Sequence, residues 1–145
     1  MGSVLPKENI QIINNISDWQ SAIKKASEPL LDQGAITEQY VKNMIESVYK
    51  NGLYMVLTDK FALMHAKPGE GVIKQAMSML VSEQDIDLAG KPVKIFLVLA
   101  AKASNSHIKA LQEIVDILMD SRKFSIILSG NREKIISLFN KKLED

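Results

Sequence analysis

The two histidines of this chain are the side chains best suited to chemistry near neutral pH, and both stand where an apolar run gives way to a loop. His65 follows FALM and precedes a loop containing Pro68, Gly69 and Gly71. His107 closes the polar stretch KASNSH, which follows the apolar run VKIFLVLAA. Imidazole titrates near neutrality; one ring nitrogen carries a lone pair while the other can donate to a carbonyl that fixes the tautomer. Such a ring can itself be the nucleophile, and a phosphoryl group is its natural cargo. Amides at the start of a helix from His107 can hold phosphate oxygens at the positive end of the helix dipole, and a protonated His107 can offset the charge on a phosphorylated His65. The plainer alternative is that each histidine is structural or merely solvated, and spacing does not decide between the two.

Other chemistries find less support. There is no cysteine, which excludes disulfides, thiolate nucleophiles and cysteine-ligated zinc. Two histidines without HxH or HExxH spacing fall short of a mononuclear metal site unless distant carboxylates complete it. No GxSxG turn accompanies a serine triad. Gly69-Glu70-Gly71 is followed by Lys74 where a dinucleotide loop needs its third glycine, and the phosphate-loop signature is absent. No metal or other cofactor is expected.

The 18 basic and 17 acidic residues leave a net charge of +1 with no long run of either sign, so nucleic acid and membrane surfaces are poor partners. The N-terminus MGSVLPKEN lacks a signal core, and Ile95 to Ala101 is too short to cross a bilayer. A cytoplasmic protein without membrane insertion is expected. The 145 residues, 46% of them hydrophobic, fit one domain, with residues 1–8 a loose start.

The elements that must position the histidines can be read from periodicity. NIQII (9–13) suits a short edge strand. A helix is expected from Asp18, with Ser17 and Gln20 at capping-box spacing; Pro29 should bend or divide it, and Gly34 marks its end. Thr37 can cap a second helix, antiparallel to the first, whose face of Tyr40, Val41, Met44, Ile45 and Val48 runs to Asn51-Gly52. LYMVLT (53–58) and FALM (61–64) read as two strands joined at Asp59-Lys60. A further strand within 75–81 and an acidic loop over 82–92 lead to VKIFLVLAA, whose unbroken apolar run suits a central strand covered on both faces. A helix follows, lined by Ile108, Leu111, Ile114, Val115 and Leu118. KFSIILSG fits either a strand or a helical turn, and a last helix runs from Arg132 to Leu143 after Asn131 as cap. The result is an α/β fold, a small mixed sheet sandwiched between helices.

The segments ALMHAKPGEGV and PVKIFLVLAAKASNSHIKALQEIVDIL, in that order, together with the upstream YV..MI helix, resemble the enzyme IIA domain of the sugar phosphotransferase system, fructose/mannitol class, and most nearly its ascorbate-type branch. The likeness runs from about Trp19 to the last helix. It implies a three-layer fold and a phosphohistidine relay. His65 would be the phosphoryl acceptor and His107 the stabiliser of the phosphate, with Lys67 and Ser106 beside it. The implied partners are the histidine phosphocarrier protein as donor, a IIB component as acceptor and a IIC membrane component indirectly.

Departures accompany the likeness. Met64 stands where the family usually has proline, Lys67 where this branch often has arginine, and Asp59-Lys60 where a Pro-Gly turn is common. Tyr40 to Lys50 lacks the helix arginine of mannitol and fructose members, which favours an ascorbate-like sugar. Lys67 can replace an arginine as a point charge or be a solvated loop lysine, and Met64 can pack where proline packed. Besides transport, two alternatives follow: a regulatory module that signals phosphorylation state, as a free-standing domain permits, and a degenerate binding domain. Apolar residues left over on the helices would support a homodimer.

Overall fold

The computed structural model describes residues 5–103 and 108–140. After a single 3-10 turn, Lys7–Asn9, the chain forms β1 (Ile10–Ile13), α1 (Trp19–Asp32), α2 (Glu38–Met55), β2 (Val56–Thr58), β3 (Lys60–Met64), β4 (Ala76–Leu88) and β5 (Lys91–Ala100). Three helices follow, α3 (Ile108–Leu118), α4 (Ser121–Ser129) and α5 (Arg132–Asn140). The strands make one mixed sheet in the order β1-β4-β5-β3-β2. β1 pairs parallel with β4 and β3 parallel with β5, whereas β4–β5 and β2–β3 are antiparallel.

Alternation along the central strands sorts the core into two halves. Phe96, Val98 and Ala100 of β5, with Ala62 and Met64 of β3, pack against α1 and α2 through Ile23, Leu30, Tyr40 and Met44. Ile95, Leu97 and Leu99, with Phe61 and Leu63, pack against Ile114, Ile127, Ile135 and Phe139 of α3, α4 and α5. β5 is buried without a break from Ile95 to Ala100. It is the central strand that its apolar run predicts, and the three-layer α/β arrangement is the expected one.

Several local expectations are corrected. The N-cap of α1 is Asp18, whose side chain accepts from the Ser21 amide at 2.7 Å, while the Ser17 hydroxyl reaches only side chains, Asp18 Oδ2 and Ser21 Oγ, and caps no amide. A carboxylate outcompetes a hydroxyl there because the helix dipole and charge-assisted bonding both favour it. Pro29 lies inside α1 without dividing it. The carbonyl that loses its helical donor to proline is that of Lys25, and Gln11 Nε2 reaches it at 2.6 Å.

Asn51 leaves helical geometry (φ −137°), yet α2 continues to Met55, so the strand expected from Leu53 starts at Val56. The expected acidic loop over 82–92 is instead the second half of β4, a two-residue turn at Ala89-Gly90 and the start of β5. The ladder with β5 shifts register between Val81 and Ile86, bulging the charged residues outward while Ile86 and Leu88 return to the core. KFSIILSG resolves as helix, capped by the Asp120 carboxylate on the Arg122 and Lys123 amides. Asn131 caps α5 as expected, its Oδ1 accepting from the Lys134 amide.

Candidate active site

β3 and β5 run parallel and side by side, so their C-terminal ends share one edge of the sheet. His65 is the first residue past β3, half-buried, between the buried Met64 and Ala66. Met64 packs among the α1/α2 core residues and is fully buried. The His65 ring turns back on its own strand, with Nδ1 3.1 Å from the Leu63 carbonyl oxygen. A carbonyl can only accept, so Nδ1 carries the proton and the neutral ring keeps its lone pair on Nε2.

The backbone beyond the histidine is tied to two other elements. The Ala66 amide donates to the Tyr40 hydroxyl at 3.1 Å, and that hydroxyl donates to the Leu99 carbonyl at 2.6 Å. Tyr40, in the first turns of α2, is 1% exposed. Burial raises its phenol above the ordinary 10.0, opposed in part by the Ala66 amide, so the hydroxyl is neutral near pH 7. Further along the loop, the Gly69 amide donates to the Ala101 carbonyl at 2.9 Å and the Thr37 amide to the Gly71 carbonyl at 2.9 Å. The Thr37 hydroxyl also points to Gly71 O, at 3.3 Å. The loop after His65 is thus fastened both to the exit of β5 and to the start of α2.

Lys67 is exposed on this loop, two residues after His65, and has no ion-pair partner among the described residues. Ser106 and His107 lie outside the described residues. The described residues after β5, Ala101 to Ala103, leave the sheet at the end where His65 follows β3. Two clefts lie elsewhere: one of about 740 Å³ between α4 and α5, and one of about 590 Å³ between α1 and α2. Among the described residues no group of three or more His, Asp or Glu is placed to hold a metal ion, and no helix is long and apolar enough to cross a membrane.

Tyr40 is the residue whose part the sequence reading missed. At a helical apolar position it reads as core, which it is; the available signal was that a buried tyrosine must find a partner for its hydroxyl.

The family described as "Phosphoenolpyruvate-dependent sugar phosphotransferase system, EIIA 2" matches residues 3–142. The chain is 32% identical over 136 residues to the mannitol-specific cryptic phosphotransferase enzyme IIA component of Escherichia coli K12, covering 92% of each. It is 25% identical over 136 residues to the ascorbate-specific PTS system EIIA component of the same strain, covering 91% of this chain and 88% of that one. The solution structure of the mannitol-specific cryptic enzyme IIA from E. coli superposes with a TM-score of 0.85 at 30% identity, over 93% of this chain and 94% of the other. A half-buried imidazole with a fixed tautomer, set at the end of a central parallel strand pair in this three-layer fold, is therefore found in a chain that belongs to the type 2 EIIA family of the sugar phosphotransferase system.

Proposed function

We propose that His65 is the phosphoryl acceptor of this phosphotransferase component. The observation that carries the reading is the Nδ1 contact with Leu63 O, which leaves a nucleophilic Nε2 on a half-exposed ring. The donor is a phosphohistidine on the histidine phosphocarrier protein. The Nε2 lone pair forms a bond to phosphorus as the donor's P–N bond breaks, and that electron pair returns to the donor imidazole. The proton on Nδ1 stays hydrogen-bonded to Leu63 O throughout. Onward transfer to a IIB component repeats the step with His65 as leaving group. Both steps need positioning and charge stabilisation and no cofactor.

Lys67 supplies positive charge beside the transferred group as a point charge. His107, with Ser106 before it, follows β5 in the chain, and in this scheme His107 stabilises the phosphoryl oxygens. An ascorbate-like sugar is favoured because α2 contains no arginine. The reading predicts faster discharge to an ascorbate-type IIB than to a mannitol-type one; the reverse order would reject that preference.

The test combines the protein with phosphoenolpyruvate, enzyme I and the histidine phosphocarrier protein, followed by intact mass measurement. Wild type gains one phosphoryl group, His65→Ala gains none, and His107→Ala gains it at a changed rate or holds it for a changed lifetime. Survival of the gain in His65→Ala would reject the assignment. Normal loading without discharge to any IIB domain would point to a regulatory module.

A further inference from the structure

One buried hydroxyl holds together what leaves the two parallel strands. Tyr40 comes from α2, yet its oxygen lies between the amide that follows His65 and the last carbonyl but one of β5. On the reading that His65 is the acceptor, we propose that Tyr40 is a positioning residue for phosphoryl transfer, locking the His65–Ala66 peptide against the end of β5 and so setting where Nε2 stands.

Three observations carry this. The hydroxyl has a single proton, and Leu99 O takes it at 2.6 Å, so an oxygen lone pair must face the Ala66 amide. The bridge therefore has one polarity. Tyr40 cannot drift, because it is 1% exposed and the Gly71 backbone is seated against the root of its side chain: a Cβ built on Gly71 would lie 2.8 Å from Tyr40 N and 3.0 Å from Tyr40 Cβ. Finally, the histidine is held from both sides, by Leu63 O through its own Nδ1 and by Tyr40 through the next amide. The ring contact sets the tautomer and rotamer, while the amide contact sets the peptide from which the side chain projects. If Tyr40 served only to close two buried polar groups, its hydroxyl would matter for stability and not for transfer.

Tyr40→Phe keeps the ring and removes the bridge. Its loading by the phosphorylated histidine phosphocarrier protein is compared with wild type, His65→Ala and Ile127→Val. Ile127→Val weakens the core on the opposite face of the sheet. The expected result is a loss of about 10- to 100-fold in the turnover rate of loading, with KM changed less than about twofold, because only a geometry needed at the reacting atom is lost. The imidazole ¹⁵N shifts of His65 should move in Tyr40→Phe from one tautomer toward a mixture and stay put in Ile127→Val. Loading at the wild-type rate, or a loss matched by Ile127→Val, would overturn the inference.

If Tyr40→Phe fails to fold, hydrogen exchange on wild type decides: the Ala66 amide should be protected, and exchange as fast as an open loop would overturn the inference. Failure of the acceptor reading has a different signature. His65→Ala would then still gain the phosphoryl group, whatever the Ala66 exchange and the ring shifts show about Tyr40.

Discussion

In the proposed relay His65 offers one lone pair, because the other ring nitrogen is committed to Leu63 O, and the loop after it depends on a residue that cannot bear a side chain. Gly71 has φ +78°, and an added Cβ would meet Tyr40 N at 2.8 Å; Gly34 has φ +74° with open space around it. Gly34→Ala should therefore cost only the left-handed backbone penalty, about 1–2 kcal/mol. Gly71→Ala should cost about 1–3 kcal/mol more for the clash and should also slow loading of His65. Urea denaturation of the two variants checks the difference, and equal costs would mean that Gly71 is not wedged against α2. Tyr40 adds a pH dependence. Its phenol is raised in the folded state, so its stabilising effect is complete below the ordinary value of 10.0 and is lost as pH rises through the folded value. Between these limits wild type should lose stability more steeply than Tyr40→Phe, as read from urea midpoints against pH. His65 stands out in the sequence as a candidate because only two histidines compete for attention. Tyr40 does not, since its partners are 26 and 59 residues away and a helical apolar face gives no sign of which strand ends it will meet.

α1 survives a proline because another element supplies the missing donor. Gln11 on β1 bonds the Lys25 carbonyl at 2.6 Å, four residues before Pro29. Gln11→Ala should cost about 1 kcal/mol as that carbonyl loses its partner. In a Pro29→Ala background the helix restores its own amide donor, and the cost of Gln11→Ala should shrink. A double-mutant cycle by urea denaturation measures that coupling, and a cycle that closes to zero would show that Gln11 and Pro29 act independently. The same non-local logic marks where sequence patterns served and where they failed. β5 was legible because a strand buried on both faces is apolar throughout, and α5 because Asn131 announces it. β4 past Val81 was not: Glu83, Gln84 and Asp85 read as a loop, whereas they form an exposed bulge with Asp85 paired to Lys60 across the sheet. The pause at Asn51-Gly52 resembles a helix end, but α2 resumes past it, with Gly52 so close to Ala89 that a Cβ there would lie 2.8 Å from the Ala89 Cβ. In each case the deciding contact comes from a distant part of the chain.

One sheet separates two half-cores, and every buried apolar residue of β3, β4 and β5 belongs to one or the other. Leu80 packs toward α1 and α2 and Leu97 toward α3, α4 and α5, yet they sit on adjacent paired strands. Removing either side chain to alanine should cost about 2–5 kcal/mol, a large share of the roughly 5–15 kcal/mol that holds a domain of this size. Because the strands are shared, neither half can lose its packing without loosening the ladder that supports the other. The single tryptophan offers a one-sided reporter: Trp19 starts α1, packs on the α1/α2 half and meets the Tyr49 ring edge-on at 5.3 Å. Leu97→Ala lies on the opposite face, and it should still lower the urea midpoint seen by Trp19 fluorescence as far as that seen by far-UV circular dichroism. Two separate midpoints would mean that the halves melt independently. The site at the β3 and β5 ends depends on which occurs, because α2 grips it from one half-core through Tyr40 while the Leu63 and Leu99 side chains root the same strand ends in the other. A cooperative sheet keeps both grips in force until the whole domain unfolds, so loading of His65 in Leu97→Ala should persist across the folded baseline and fail only at the global midpoint.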